Sequence, residues 1–190
     1  LVTFQVIVPP DTPVQDKIVI RLLDEVTGLA LNARQNELKL VSERLYDISL
    51  PFQVGAEIKY RFARQSAGLT EEYTTANRPV RYRLYHVDGP AMVQDVVSAW
   101  SESSPTLPVG SISGFSRDES TGLPIPGLLV FAGGAQTLTA SDGSFLLEGI
   151  PEGIHNLIVY AMDGSYRTFQ QGAKVAAGST TPAQIDMQPT

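Results

Sequence analysis

Over the first hundred residues, apolar and polar side chains alternate in short runs: VTFQVIV, KIVIRLL, LYDISLP, AEIKYRFAR and PVRYRLYHV. A period of two in segments rich in β-branched and aromatic residues, bounded by Pro, Gly and Asp, predicts half-buried strands. GLALNARQNELKL differs, its apolar spacing fitting either a turn of helix or an irregular loop. After Gly110 the strand pattern returns in SISGFS, LLVFAG, QTLTA, SFLLEG, HNLIVYA and AQIDMQ. Strand signals about eight to twelve residues apart predict antiparallel β-sandwiches.

Three turn clusters punctuate TASDGSFLLEGIPEGIHNLIVYAMDGSY, residues 139–166. SDGS lies between two strand signals, and a Gly after Asp readily adopts the positive φ of a tight hairpin. Pro151 and Gly153 end one strand and start the next, and MDGS marks a further reversal. These clusters read as folding instructions and not as a site.

SESSPTLPVGS, Ser101 to Ser111, lacks periodic apolar residues between two strand-rich regions. The expected organisation is therefore a domain over residues 1–103, a linker over 104–110 and a second domain over 111–190. Eleven of the fourteen basic residues precede Gly110.

With 190 residues, 43% apolar and 18% charged, the chain has a globular composition and no apolar run long enough to cross a bilayer. It is expected to be soluble, without membrane insertion of this segment. A net charge of -6 argues against a general polyanion binder, so nucleic acid is not an expected partner. The absence of Cys excludes disulfides, thiolate zinc sites and cysteine nucleophiles. The opening LVTFQVIVPP has neither initiator Met nor basic leader, which reads as a piece of a longer protein.

Few residues suggest chemistry. His86 and His155 have no metal-ligand spacing, and each reads as a surface histidine at a strand end. GSISG, Gly110 to Gly114, places Ile112 where a nucleophile elbow requires Ser. Asp118, Glu119 and Asp142 are acidic, but SDGSFLLEG supplies only Asp142 and the distant Glu148, too few oxygen ligands for a calcium loop. No metal, cofactor or catalytic residue is assigned. Alternation in the basic strands separates Ile58, Tyr60 and Phe62 from Lys59 and Arg61, and Val80, Tyr82 and Leu84 from Arg81, Arg83 and Tyr85. If the strands are neighbours, Lys59, Arg61, Arg81, Arg83 and Tyr85 form a solvent face, either an ordinary polar sheet surface or a flat ligand surface.

VTFQVIVPPDTP, LYDISLPFQVGAEIKYRFAR and EEYTTANRPVRYRL, closed by Trp100, resemble in order the starch-binding modules of carbohydrate-binding family 20. That resemblance implies a small sandwich that binds α-glucans and catalyses nothing. It places Arg61 at a sugar-binding Lys of the family, Asn77 at the Asn of its "NR" element, and Tyr73 near its second stacking Trp. The first stacking Trp has no counterpart in LLDEVTGLAL, and Trp100 is expected in the core.

GSISGFS, TGLPIPGLLV, TASDGSFLLEGIPEG and LIVYAMDGSY resemble the carboxypeptidase regulatory-like domains, which are transthyretin-like sandwiches. The resemblance implies an accessory domain of bacterial secreted or surface proteins without its own active site. Relatives with chemistry do not match. Hydroxyisourate hydrolases end in YRGS where this chain has MQPT, and isopeptide-forming pilin sandwiches carry an early Lys where this domain has only Lys174.

The expectation is a non-enzymatic accessory segment of a larger bacterial surface or secreted protein, with neighbouring domains and a polysaccharide as partners. Arg61, Tyr73 and Asn77 are the candidate sugar contacts. One alternative is a purely structural spacer, and another is a hydrolase with a site between the domains.

Overall fold

Strands expose rows of backbone donors and acceptors, and these must be paired with neighbours once buried. A computed structural model describes residues 1–23, 34–101 and 107–190. The described residues form seventeen strands and no helix. They divide into two compact units, Leu1–Leu107 and Pro108–Thr190. The chain is all-β, built as β-sandwiches.

Unit one contains β1 (Val2–Ile7), β2 (Lys17–Leu22), β3 (Arg34–Glu37), β4 (Lys39–Ser42), β5 (Leu45–Leu50), β6 (Glu57–Gln65), β7 (Leu69–Tyr73), β8 (Arg83–His86), β9 (Ala91–Val96) and β10 (Ala99–Trp100). One sheet has the order β4-β5-β1-β9, and the other β10-β7-β6-β2-β3 with β8 also on β6. Ile58, Tyr60 and Phe62 of β6 turn into the core, leaving Lys59 and Arg61 on the opposite face. Phe4 of the first sheet meets Tyr60 and Tyr85 of the second edge-on, with ring centres 4.8 and 6.2 Å apart. This geometry brings a positive ring edge to a negative ring face. Trp100 is buried beside them, its Nε1 donating to Thr12 Oγ1 at 2.9 Å.

The described part of GLALNARQNELKL is strand, because β3 pairs with β2 from Val19↔Glu37 to Leu22↔Arg34. Its residues 28–33 lie outside the described residues, as do residues 24–31 of LLDEVTGLAL.

Unit two contains β11 (Val109–Asp118), β12 (Leu129–Ala132), β13 (Ala135–Leu138), β14 (Ser144–Pro151), β15 (Gly153–Tyr160), β16 (Phe169–Val175) and β17 (Thr180–Met187). Its sheets are β14-β11-β17 and β13-β12-β15-β16, packed around Ile112, Val130, Leu147, Leu157 and Ile185. β11 begins within the segment 104–110 that composition marks as linker, of which 104–106 lie outside the described residues.

Local turn chemistry reverses the chain where the sequence indicates. In SDGS, Gly143 has φ 78°, and Asp142 Oδ1 accepts from Ser144 N at 3.0 Å and Ser144 Oγ at 2.6 Å. MDGS repeats the device, with Asp163 Oδ1 accepting from Ser165 N at 3.0 Å and Ser165 Oγ at 2.6 Å. Among the described residues each unit departs from purely antiparallel pairing at one place. β1 runs parallel to β9, and β11 runs parallel to β17. Each such pair joins strands far apart in sequence, with the rest of the unit forming the connection that a parallel pair requires.

Candidate functional site

The three sequence-nominated sugar contacts cluster around β6 and β7. Arg61 leaves the outer face of β6, directly opposite Arg21 of β2. Two guanidinium groups side by side repel unless a carboxylate intervenes. Glu71 of β7 supplies it, accepting from Arg61 Nη2 at 2.9 Å through Oε2 and from Arg21 Nη1 through Oε1. All three side chains are largely withdrawn from solvent, Arg21 and Arg61 being 16% and 17% exposed.

Tyr73 lies two residues beyond Glu71, so strand alternation puts it on the same outward side. It is half-buried, with β10 beside it through Tyr73↔Ala99 and a bridge to Pro79. Asn77 sits in the turn that follows. Its φ is 54°, its N donates to Thr74 O at 3.0 Å, and Thr74 N donates to Arg78 O at 2.8 Å. Asn tolerates the left-handed region better than most residues, which accounts for its presence here without any ligand.

The proposed basic face is not assembled as alternation suggested. Arg83 and Tyr85 point inward and are buried, whereas Arg81 is exposed. Pairing of Tyr60 with Arg83 and Ile58 with Tyr85 sets this phase, since paired residues share a side of the sheet. Lys59 and Tyr82 remain on the outer side, with Lys59 Nζ 5.2 Å from the Tyr82 ring centre. Inside, Arg83 is held by Glu72 and Asp95, and Tyr60 OH donates to Asp95 Oδ2 at 2.8 Å. Nothing in the sequence pattern singles out Glu72 or Asp95, since each is an ordinary polar position until the sheets close over it.

Burial disfavours the Arg83 charge, but Glu72 and Asp95 outweigh it and raise the guanidinium pKa above its ordinary value. Burial also lifts the Asp95 carboxyl, against the opposing pull of Arg83. Tyr60 is pushed well up by burial and then by Asp95. The charges of Arg83, Glu72 and Asp95 thus form a buried network paired within the fold.

The histidines differ from one another. His86 ends β8 half-buried, its Nδ1 2.8 Å from Glu57 and its Nε2 3.2 Å from Asp88. His155 is not at the surface as its place in the sequence suggested, being 1% exposed with Nε2 2.6 Å from Pro151 O. Closure of the Gly133-Gly134 hairpin explains this, for a Cβ at Gly133 would lie 3.3 Å from His155 Nδ1.

In the acidic RDESTG stretch of unit two, Asp118 is held by its own chain. Asp118 Oδ1 accepts from Ser120 N and Thr121 N, both at 2.8 Å, and Asp118 Oδ2 accepts from Tyr166 OH at 2.9 Å. The Thr121 amide and the Tyr166 hydroxyl hold its pKa below the usual carboxylate value. Among the described residues, no group of three or more His, Asp or Glu is placed to hold a metal ion.

No family model matches the chain, and no curated protein matches it. Solved structures similar to it include a minor pilin of Streptococcus agalactiae at 12% identity and TM-score 0.38, covering 100% of this chain and 97% of that one. A shaft pilin of Lactobacillus rhamnosus is similar at 9% identity and TM-score 0.34, with the same coverages of 100% and 97%. The Bacillus anthracis TIE protein is similar at 9% identity and TM-score 0.37, over 99% of this chain and 34% of that one. Similarity at this level assigns no function.

Proposed function

We propose that the chain is a non-catalytic structural segment, a pair of sandwich modules that space or present other parts of a bacterial surface or secreted protein. One observation carries this reading. The outward arginines Arg61 and Arg21 are both held by Glu71, and Arg83 is withdrawn into the core with Glu72 and Asp95. A residue already charge-paired within the fold offers little to an incoming sugar, because each hydrogen bond gained would replace one lost.

A second reading is favoured by a narrower observation. Among the described residues, Nε of Arg61 and Nε of Arg21 are buried without a hydrogen-bond partner, and strand alternation puts Tyr73 on the same outward side of the sheet. Guanidinium donors and an aromatic ring on one sheet face suit a hydroxyl-rich ligand such as an α-glucan, with Asn77 in the turn after β7.

Affinity electrophoresis of the intact chain through soluble starch separates the two. Unretarded migration supports the spacer. Retardation that disappears in both Arg61→Ala and Tyr73→Ala overturns it in favour of the starch-binding-like site.

A further inference from the structure

Both units place their first strand against a late strand in parallel, and in unit two that partner is the last strand. β11 pairs with β17 in eight register positions, from Ser111↔Thr180 to Asp118↔Met187. In a parallel pair the start of one strand and the end of the other lie at opposite ends. Tension carried along the chain enters unit two at Val109 and leaves at Met187, pulling β17 lengthwise along β11. Every bond between the strands is then loaded together. Had both attachment points lain at one end, the same bonds would open one after another.

We propose that the β11–β17 pair is a shear-loaded clamp and that unit two bears tensile load. The proposal rests on the spacer reading for its use, and on the strand geometry for its mechanism. Three features oppose sliding. Side chains tie the strands at both ends, Ser111 Oγ to Thr180 Oγ1 at 2.7 Å and Arg117 Nε to Asp186 Oδ1 at 2.5 Å. Ile112, Ile185 and Met187 are fully buried, so displacement strips them from the core. β11 is also central in its sheet, held on its other edge by β14.

The backbones lie unusually close at the middle of the clamp. A Cβ on Gly114 would sit 1.8 Å from Ala183 O. Beyond β17 the chain is stitched down again, Tyr166 bridging to Pro189 and Thr190 Oγ1 donating to Gly164 O at 2.9 Å. Unit one has the related β1–β9 pair from Val2↔Ala91 to Ile7↔Val96, followed by the short β10.

Force spectroscopy tests the clamp directly, and a chain without cysteine accepts clean thiol handles. In the full chain, Val109→Cys with Gln188→Cys loads the pair in shear. Val109→Cys with Ser179→Cys unzips the same pair, because Gly178 N bonds to Val109 O at 2.8 Å and both handles lie at one end. Forced opening follows the unfolding barrier, so shear should require about twofold more force or greater than unzipping. Equal forces overturn the proposal.

A second measurement uses the unsubstituted chain held by terminal tags. There unit two should yield at the shear force, and yielding at the unzipping force also overturns the clamp. Retardation by starch would sink the spacer reading while leaving the force ratio intact, so the two failures are distinguishable.

Discussion

Arg83 lays its guanidinium against the Glu72 carboxylate inside unit one, with Nη2 to Oε2 at 2.8 Å and Nε to Oε1 at 3.1 Å. Both side chains are almost wholly removed from water, at 5% and 0% exposure. Glu72 Oε1 also accepts from the Phe62 amide at 3.0 Å, and Arg83 Nη2 donates to Val96 O at 2.9 Å, so the pair ties β6, β7, β8 and β9 together.

Removing Arg83 should leave the Glu72 and Asp95 carboxylates buried without a cation. Arg83→Ala is expected to destabilise unit one by about 3–5 kcal/mol, and Glu72→Gln by less, because Asp95 still pairs with Arg83. Urea unfolding followed by Trp100 fluorescence measures this, since Trp100 is the single tryptophan and is buried in that unit. A loss below about 1 kcal/mol, the value of an exposed ion pair, would show that the network is not desolvated as the structure indicates.

Acid should weaken the turns of unit two. Asp142 and Asp163 have lowered pKa values because the Ser144 and Ser165 hydroxyls and amides donate to their carboxylates. A folded pKa below the unfolded one contributes stability above the unfolded value, near 4, which is lost as pH falls through the folded value. Asp142→Asn and Asp163→Asn should therefore melt below the parent at neutral pH and approach it in strong acid. Thermal melts across that range check the sign, and a deficit independent of pH would contradict it. Asp95 in unit one works the other way. Its raised pKa means that burial penalises the carboxylate, a penalty present above the folded value and relieved as pH falls below it.

Gly114 should tolerate no side chain. Its Cβ would meet Ala183 O at 1.8 Å and Ala183 C at 2.8 Å, both backbone atoms of β17 that move only if the strand moves. Gly114→Ala is expected to cost about 3 kcal/mol, the upper end for overpacking, by chemical denaturation monitored with circular dichroism. Gly172→Ala is the control, having no atom within 4 Å of its added Cβ. Equal effects would mean that β17 is not held closely to β11.

Asn77 separates a conformational role from a binding one. With φ at 54° it occupies a region that Gly accepts freely and β-branched residues resist. Asn77→Gly should melt like the parent, and Asn77→Val should lose about 1–3 kcal/mol of stability. Neither should alter migration through starch if the turn is all that Asn77 serves. Retardation by starch abolished in Asn77→Gly without a stability change would assign it to a ligand.

The strands of unit one were legible wherever burial on one face left a clean alternation, as in AEIKYRFAR of β6. β7, LTEEY, and β16, FQQGAKV, carry no such signal, because few of their residues are apolar and pairing with neighbours does the rest. The candidate site was legible only as residue types. Arg61 and Tyr73 do share an outward side, but the Glu71 carboxylate that binds Arg61 is one acidic residue among many until β7 pairs with β6.

By itself the sequence determined what is local: strand-forming runs, the Asp-Gly-Ser reversals, the lack of thiol chemistry and the burial of Trp100. These follow from side-chain period, turn conformation and residue type, which act within a few neighbouring residues. Tertiary structure decided the rest: the inward turn of Arg83, the burial of His155, and the parallel pairs β1–β9 and β11–β17. A run such as PVRYRLYHV, of which Arg83–His86 is β8, would carry rings and charges on alternating sides in either phase. Which phase faces the core is settled only by the register of the strand beside it, and that register joins residues distant along the chain.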